Sequence, residues 1–153
     1  MPLDKVSRNL VFAVLSAEDH YFYEHHGVSA EGTMRAFVAN LTAGKPVQGG
    51  STLTQQLVKN VFFEGESRTI PLKLAESVVA AQIEGRYSKK KILEMYLKPD
   101  LFRFRAYGCE QAARTYFGKS SEELTIGESA FLAGIIKSPS YLGDNLIVIK
   151  LSN

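Results

Sequence analysis

The sequence predicts a mostly α-helical fold, on three observations. Apolar residues recur at helical spacing, as in Leu53, Leu57 and Val61. Helix-starting and helix-stopping residues alternate in order, from Ser29 to Gly44 and Pro46, and from Ser88 to Pro99. Strand signals are weak: the closing run "LIVIKLSN" reads as one strand or as a frayed tail.

The elements follow along the chain. "SRNLVFAVLSAED" is rich in helix formers, with Ser7 placed to cap it. Gly27 breaks the pattern, and Ser29 starts a second helix that Gly44 and Pro46 end. Gly49 and Gly50 open "QGGSTLTQQLVKN", with Ser51 at the natural N-cap position. In that helix Thr52, Gln56 and Lys59 make a polar stripe beside the apolar one, near an N-terminus whose free N–H groups can meet an anion. After the looser "FEGESRTIP", "LKLAESVVAAQIEG" reads as a long helix. Lys73, Glu76, Ala80 and Glu84 share one side of it, and Leu74, Val78 and Ala81 another. Ser88 caps "KKKILEMYLK", and Pro99 stops it. "GCEQAARTYFGK" closes at Gly118, and Thr125 with Glu128 forms a capping box for the last helix.

Composition bounds the function. The 153 residues suit one domain with a sizeable core, and 45% hydrophobic against 22% charged residues indicates a folded chain. A net charge of +2 argues against a general nucleic-acid binder. The single cysteine, Cys109, excludes an internal disulfide. No apolar run approaches the ~18–20 residues that cross a bilayer, and "MPLDKVSRNL" has no signal-peptide pattern.

Three segments carry candidate chemistry. In "AEDHYFYEHHG", Glu18 and Asp19 end an apolar helix, where a carboxyl group can serve as acid or base; the plain alternative is a solvated helix end. His20, His25 and His26 match no usual zinc spacing, so no metal site is assigned. Tyr21, Phe22 and Tyr23 read as core. The hydroxyls and amides of "GGSTLTQQLVKN" suit sugar hydroxyls, and Lys59 suits a phosphate; the alternative is a capped surface helix. Lys73 and Glu76 read as a surface ion pair; alternatively Arg68, Lys73 and Arg86 could neutralise a leaving pyrophosphate. "SKKK" reads as a solvated helix start.

Together these segments resemble the peptidoglycan glycosyltransferases, glycosyltransferase family 51. "EDHYFYEHHG" is similar to the family's first motif, E-D-x-x-F-x-x-H-x-G, and "GGSTLTQQLVKN" to its second, G-G-S-T-x-T-Q-Q-x-x-K-N. "KLAESVVAAQIEGRYSKKKILEMYL" resembles the third and fourth motifs, and "AYGCEQAARTYFGK" with "ESAFLAGIIKSPS" the segment after them. The likeness runs from Pro2 to Tyr141.

The resemblance implies a lysozyme-like, bilobal helical domain with head and jaw lobes, here over residues 1–153 and truncated at both ends. It implies polymerisation of lipid II, a disaccharide-pentapeptide on undecaprenyl pyrophosphate, with inversion to a β-1,4 bond. Glu18 takes the place of the general base, and Glu76 that of a second carboxylate assisting the leaving group. Lys59, Arg68 and Lys73 would meet the pyrophosphate charge. Gly49, Gly50, Ser51, Thr52, Gln55, Gln56 and Asn60 would line the sugar–phosphate subsites, with Asp19, His25 and Arg86 also assigned to substrate. No tightly bound cofactor is implied beyond a divalent cation, magnesium or manganese, at the pyrophosphate. The implied partners are lipid II, the growing glycan strand, the membrane surface and other cell-wall synthesis proteins, with no nucleic acid. The implied location is the outer, periplasmic face of the bacterial cytoplasmic membrane, the natural anchor being absent from the chain.

The chain also departs from the family pattern. Leu72 stands where arginine is expected, and Lys98 where asparagine is. Arg103 and Arg105 replace glycines in "PDLFRFRAYG", and the tail "GDNLIVIKLSN" is unlike the usual ending. Two other readings therefore stand beside polymerisation: a catalytically impaired domain that binds lipid II, and a lytic enzyme suggested by the Glu-Ser pairs at 76–77 and 128–129.

Overall fold

The computed structural model describes residues 2–45, 49–67, 69–97 and 108–137. Arg68, the altered segment with Lys98, Arg103 and Arg105, and the tail from 138 onward lie outside the described residues. Those described are mostly helical, with no strand among them. A short 3₁₀ turn, Leu3–Lys5, precedes helices α1 (Arg8–Glu18), α2 (Ala30–Ala43), α3 (Leu53–Phe62), α4 (Ile70–Arg86), α5 (Lys89–Tyr96), α6 (Gly108–Phe117) and α7 (Ile126–Lys137).

The chain forms two compact units, one from Met1–Glu18 and Leu97–Asn153, the other from Asp19–Tyr96. In the first, α1 packs along α7. Leu10, Val14 and Leu15 of α1 and Leu132, Ala133 and Ile135 of α7 are buried. Ser7 caps α1, its Oγ accepting from the Asn9 amide at 3.2 Å and donating to the Leu124 carbonyl at 3.1 Å. Thr125 and Glu128 form the expected capping box on α7, and Gly118 ends α6 at φ +69°. Lys119 and Thr125 together hold the Glu128 carboxyl down at about 2.

In the second unit, α3 packs against α4 and α5. Leu53, Leu57 and Val58 of α3 and Ile92, Leu93 and Tyr96 of α5 are buried, whereas Val61 lies outside the core. α2 starts at Ser29, whose Oγ accepts from the Gly32 amide, and ends at Gly44 in the left-handed region, as the sequence indicates. It buries only Ala36. Of the three aromatics read as core, Phe22 is buried, Tyr21 is half-buried and Tyr23 is exposed.

Two features of α4 differ from expectation. It begins at Ile70, capped by Thr69, because Pro71 sits in the first turn, where proline's missing N–H costs nothing. Its faces are inverted with respect to hydrophobicity. Glu76 and Ala80 are buried, while Ile70, Leu74 and Val78 are exposed.

Candidate active site

The start of α3 organises the second unit's polar residues. Thr52, not Ser51, is the N-cap. Its Oγ1 accepts from the Gln55 amide at 3.1 Å and donates to the Gly27 carbonyl at 2.6 Å. Gln55 answers with Oε1, which accepts from the Thr52 amide at 2.9 Å, while its Nε2 donates to Ser77 Oγ at 2.8 Å. Both side chains are buried and engaged within the protein. They form a capping box rather than the open sugar-binding wall read from the sequence.

The free N–H groups expected at this helix start are also largely taken. The Leu53 amide donates to Asp19 Oδ2 at 2.8 Å, so the protein supplies its own carboxylate at the positive end of α3. The same oxygen accepts from His25 Nε2 at 2.8 Å. The Gly27 amide donates to His25 Nδ1 at 3.2 Å, which makes Nδ1 an acceptor and places the ring proton on Nε2. Asp19 and His25 are both buried, so they join the first motif to the second rather than present side chains to a ligand. His20 and His26 are exposed.

The glycines divide in role. A Cβ on Gly50 would lie 2.9 Å from Thr33 Cα and 3.2 Å from Ala36 Cβ, so Gly50 permits α2 to approach. A Cβ on Gly49 would meet nothing within 4 Å. Gly50, assigned to the sugar–phosphate subsites by resemblance, is thus pressed against α2.

Ser51, Lys73 and Glu76 are left as a cluster. Lys73 Nζ donates to Ser51 Oγ at 2.9 Å and to Glu76 Oε2 at 2.8 Å. The Glu76 side chain is 6% exposed and that of Lys73 44%, so the pair is no solvated surface bridge: its carboxylate is buried and its lysine is partly open to solvent. A lysine held this way presents a charge that an incoming anion can share. Of the other assigned residues, Gln56 and Lys59 are half-buried and Asn60 is exposed. Gln56 Oε1 accepts from Tyr96 OH at 3.3 Å. Arg86 is exposed at the far end of α4. At about 1.5 Å per residue it lies roughly 20 Å along the axis from Lys73, too far to share one phosphate with it.

In the first unit, Glu18 is the half-buried last residue of α1. The carbonyl before it, Ala17 O, accepts from Lys137 Nζ at 2.9 Å. The second Glu-Ser pair is structural: Glu128 caps α7 and Ser129 is buried.

Sequence reasoning missed Lys89. Its Nζ lies 2.8 Å from each oxygen of Glu84 and 2.6 Å from the His25 carbonyl, and sits 4.4 Å from the centre of the Phe22 ring. "SKKK" hides this, since its three lysines look alike in sequence. Among the described residues, no group of three or more His, Cys, Asp or Glu side chains comes together as a metal site.

A family model described as "Transglycosylase" matches residues 1–147. The chain is 45% identical over 138 residues to penicillin-binding protein 1A of Haemophilus influenzae, covering 90% of this chain and 16% of that protein. It is 44% identical over 138 residues to penicillin-binding protein 1A of Escherichia coli, with the same coverage of 90% and 16%. It is 41% identical over 138 residues to penicillin-binding protein 1F of Bacillus subtilis, covering 90% of this chain and 19% of that protein. The chain thus spans less than a fifth of the length of each of these relatives.

Proposed function

The chain belongs to the transglycosylase family, and from that premise we propose that it extends peptidoglycan glycan strands from lipid II. The observation that carries this reading is the Ser51–Lys73–Glu76 cluster, a buried carboxylate paired with a partly exposed lysine that also holds a hydroxyl. Lys73 and Ser51 would hold the donor's pyrophosphate. Glu18 would take the proton from the acceptor's GlcNAc 4-hydroxyl as that oxygen bonds to donor C1. The bond from C1 to the phosphate oxygen breaks, its electron pair leaves with undecaprenyl pyrophosphate, and configuration at C1 inverts. Lys73 meets the charge that grows on the leaving group, where a fixed cation lowers the barrier most. Lys59 and Arg68 would extend that positive field.

A divalent cation takes about six oxygen ligands. The cluster offers one carboxylate, already bound to Lys73, so a magnesium or manganese ion would be held mainly by the substrate's own phosphate oxygens. Among the described residues, the chain's groups do not form a cage for it.

A lipid-linked substrate places the reaction at a membrane surface, here the outer face of the cytoplasmic membrane among other cell-wall synthesis proteins. Met34, Phe37, Val38 and Leu41 of α2 and Val61 and Phe62 of α3 are exposed apolar residues of the second unit, suited to that surface. No helix among the described residues is long and apolar enough to cross a membrane.

The test is incubation of the chain with lipid II in detergent or vesicles, beside Glu18→Gln. Polymer from the parent, and a loss of ~10²–10⁴-fold in the variant with lipid II binding retained, is the expected result. Binding without turnover by the parent, or soluble fragments from finished glycan, would overturn it.

A further inference from the structure

We propose that Lys89 and Glu84 are positioning residues that clamp the segment carrying Asp19, His25 and Gly27 onto α3 and α4. This rests on the reading of Glu18, the residue before Asp19, as the base.

His25 is where these contacts meet. Its ring binds Asp19 on one side and the Gly27 amide on the other, and its backbone carbonyl accepts from Lys89 at 2.6 Å. Asp19 in turn holds the first amide of α3, and Gly27 O accepts from the α3 cap, Thr52. Moving His25 would therefore disturb both links between the first motif and α3.

Lys89 fixes His25 only if its own position is fixed, and the surroundings ensure that. Its side chain is 19% exposed and that of Glu84 3%. Both Glu84 oxygens face the ammonium, and Oε1 also accepts from Thr54 Oγ1 at 2.6 Å. The Phe22 ring lies against the ammonium on another side. The clamp thus joins α3 through Thr54, α4 through Glu84, α5 through Lys89 and the 19–27 segment through His25.

Removing one partner would leave a buried unpaired charge and cost global stability, which would mask a positioning role. Replacing both with neutral groups of similar shape avoids this. In Lys89→Met/Glu84→Gln, the glutamine still accepts from Thr54, the buried charges vanish together, and the His25 tether is lost with the ammonium's contact to Phe22. The test uses the full chain. Amide hydrogen exchange is followed at Gly27 and Leu53, with α1 and α7 amides as internal controls, and kcat and KM are measured on lipid II.

The expected result is a thermal midpoint near the parent's, exchange at Gly27 and Leu53 faster by about 10-fold, and unchanged exchange in α1 and α7. Turnover falls by about 10-fold or more with KM little altered, as expected when reacting groups lose alignment. Parental exchange at Gly27 and Leu53 would overturn the clamp whatever the activity. Faster exchange with parental kcat would overturn its link to catalysis. Glu18→Gln measured alongside keeps the two readings apart: parental turnover in that variant would sink the base, while the exchange data still judge the clamp.

Discussion

Replacing Gly27 with alanine should destabilise this chain far more than an average glycine-to-alanine change, and two independent costs set the size. Gly27 has φ +94°, where an L-residue is strained by roughly 1–2 kcal/mol. A Cβ there would also sit 2.8 Å from Ala80 C and Ala81 N and 2.9 Å from Ala80 O, all backbone atoms of α4 that cannot rotate aside. Forcing a methyl group into such packing typically costs ~1–3 kcal/mol. The sum is about 2–5 kcal/mol. At roughly 2–4 °C per kcal/mol for a domain of this size, the thermal midpoint should fall by about 4–20 °C. The backbone cannot retreat freely, because the Gly27 amide donates to His25 and its carbonyl accepts from Thr52. Gly85→Ala is the control. It lies in α4, a Cβ there would meet nothing within 4 Å, and the change should stabilise by up to about 0.5–1 kcal/mol. Calorimetry or thermal circular dichroism reads both variants. A Gly27→Ala midpoint within about 2 °C of the parent would refute the packing of this segment on α4.

Thr52→Val should cost about 2–4 kcal/mol, combining a lost N-cap with a buried Gly27 carbonyl left without its donor, while Ser51→Ala stays within about 0.5 kcal/mol. Chemical denaturation of both checks this, and equal losses would return the cap to Ser51. Serine at Phe37, Leu41 and Phe62 should weaken binding to vesicles of anionic lipid while leaving the thermal midpoint nearly unchanged, because all three are exposed; a parallel fall in stability would make them core. Phe63 is half-buried and belongs outside that set. Burial pushes the Cys109 thiol up to about 11 from a usual 9.0, a factor of about 100 in thiolate. A thiol reagent at pH near 8 should therefore label it at least about 100-fold more slowly in native than in denatured chain. The neutral thiol is favoured in the folded state, so its contribution is complete below about 9 and is lost as pH rises toward 11.

The helix ends were legible because capping is local chemistry. Ser29, Gly44, Ser88, Gly118 and the Thr125–Glu128 box all act where the sequence indicates. The start of α4 is not legible, because Pro71 reads as a breaker unless it is known to lie in a first turn. The motifs were legible as types of residue but not as directions. Hydroxyls and amides suit a sugar, yet they suit a helix cap equally well, and spacing cannot say which partner arrives first. Thr52 and Gln55 face inward for that reason, and Lys89 is a tether that composition cannot distinguish from Lys90 and Lys91.

The inward turn of those side chains changes what must hold the donor. The amides of Leu53 and Gln55 are occupied by Asp19 and Thr52, so neither is open to a phosphate at the start of α3. On the proposed reading, the attraction falls to Lys73, with Ser51 beside it and Lys59 farther along α3. Lys73 is already paired with Glu76, a carboxylate too buried to follow it outward. An arriving pyrophosphate would therefore compete with Glu76 for one ammonium, and its departure would restore the pair. The binding that holds the leaving group is then weakened by the protein itself. That competition would weaken the hold on substrate and transition state alike, so any gain in turnover would come only from the negative charge that grows on the leaving oxygen facing Lys73.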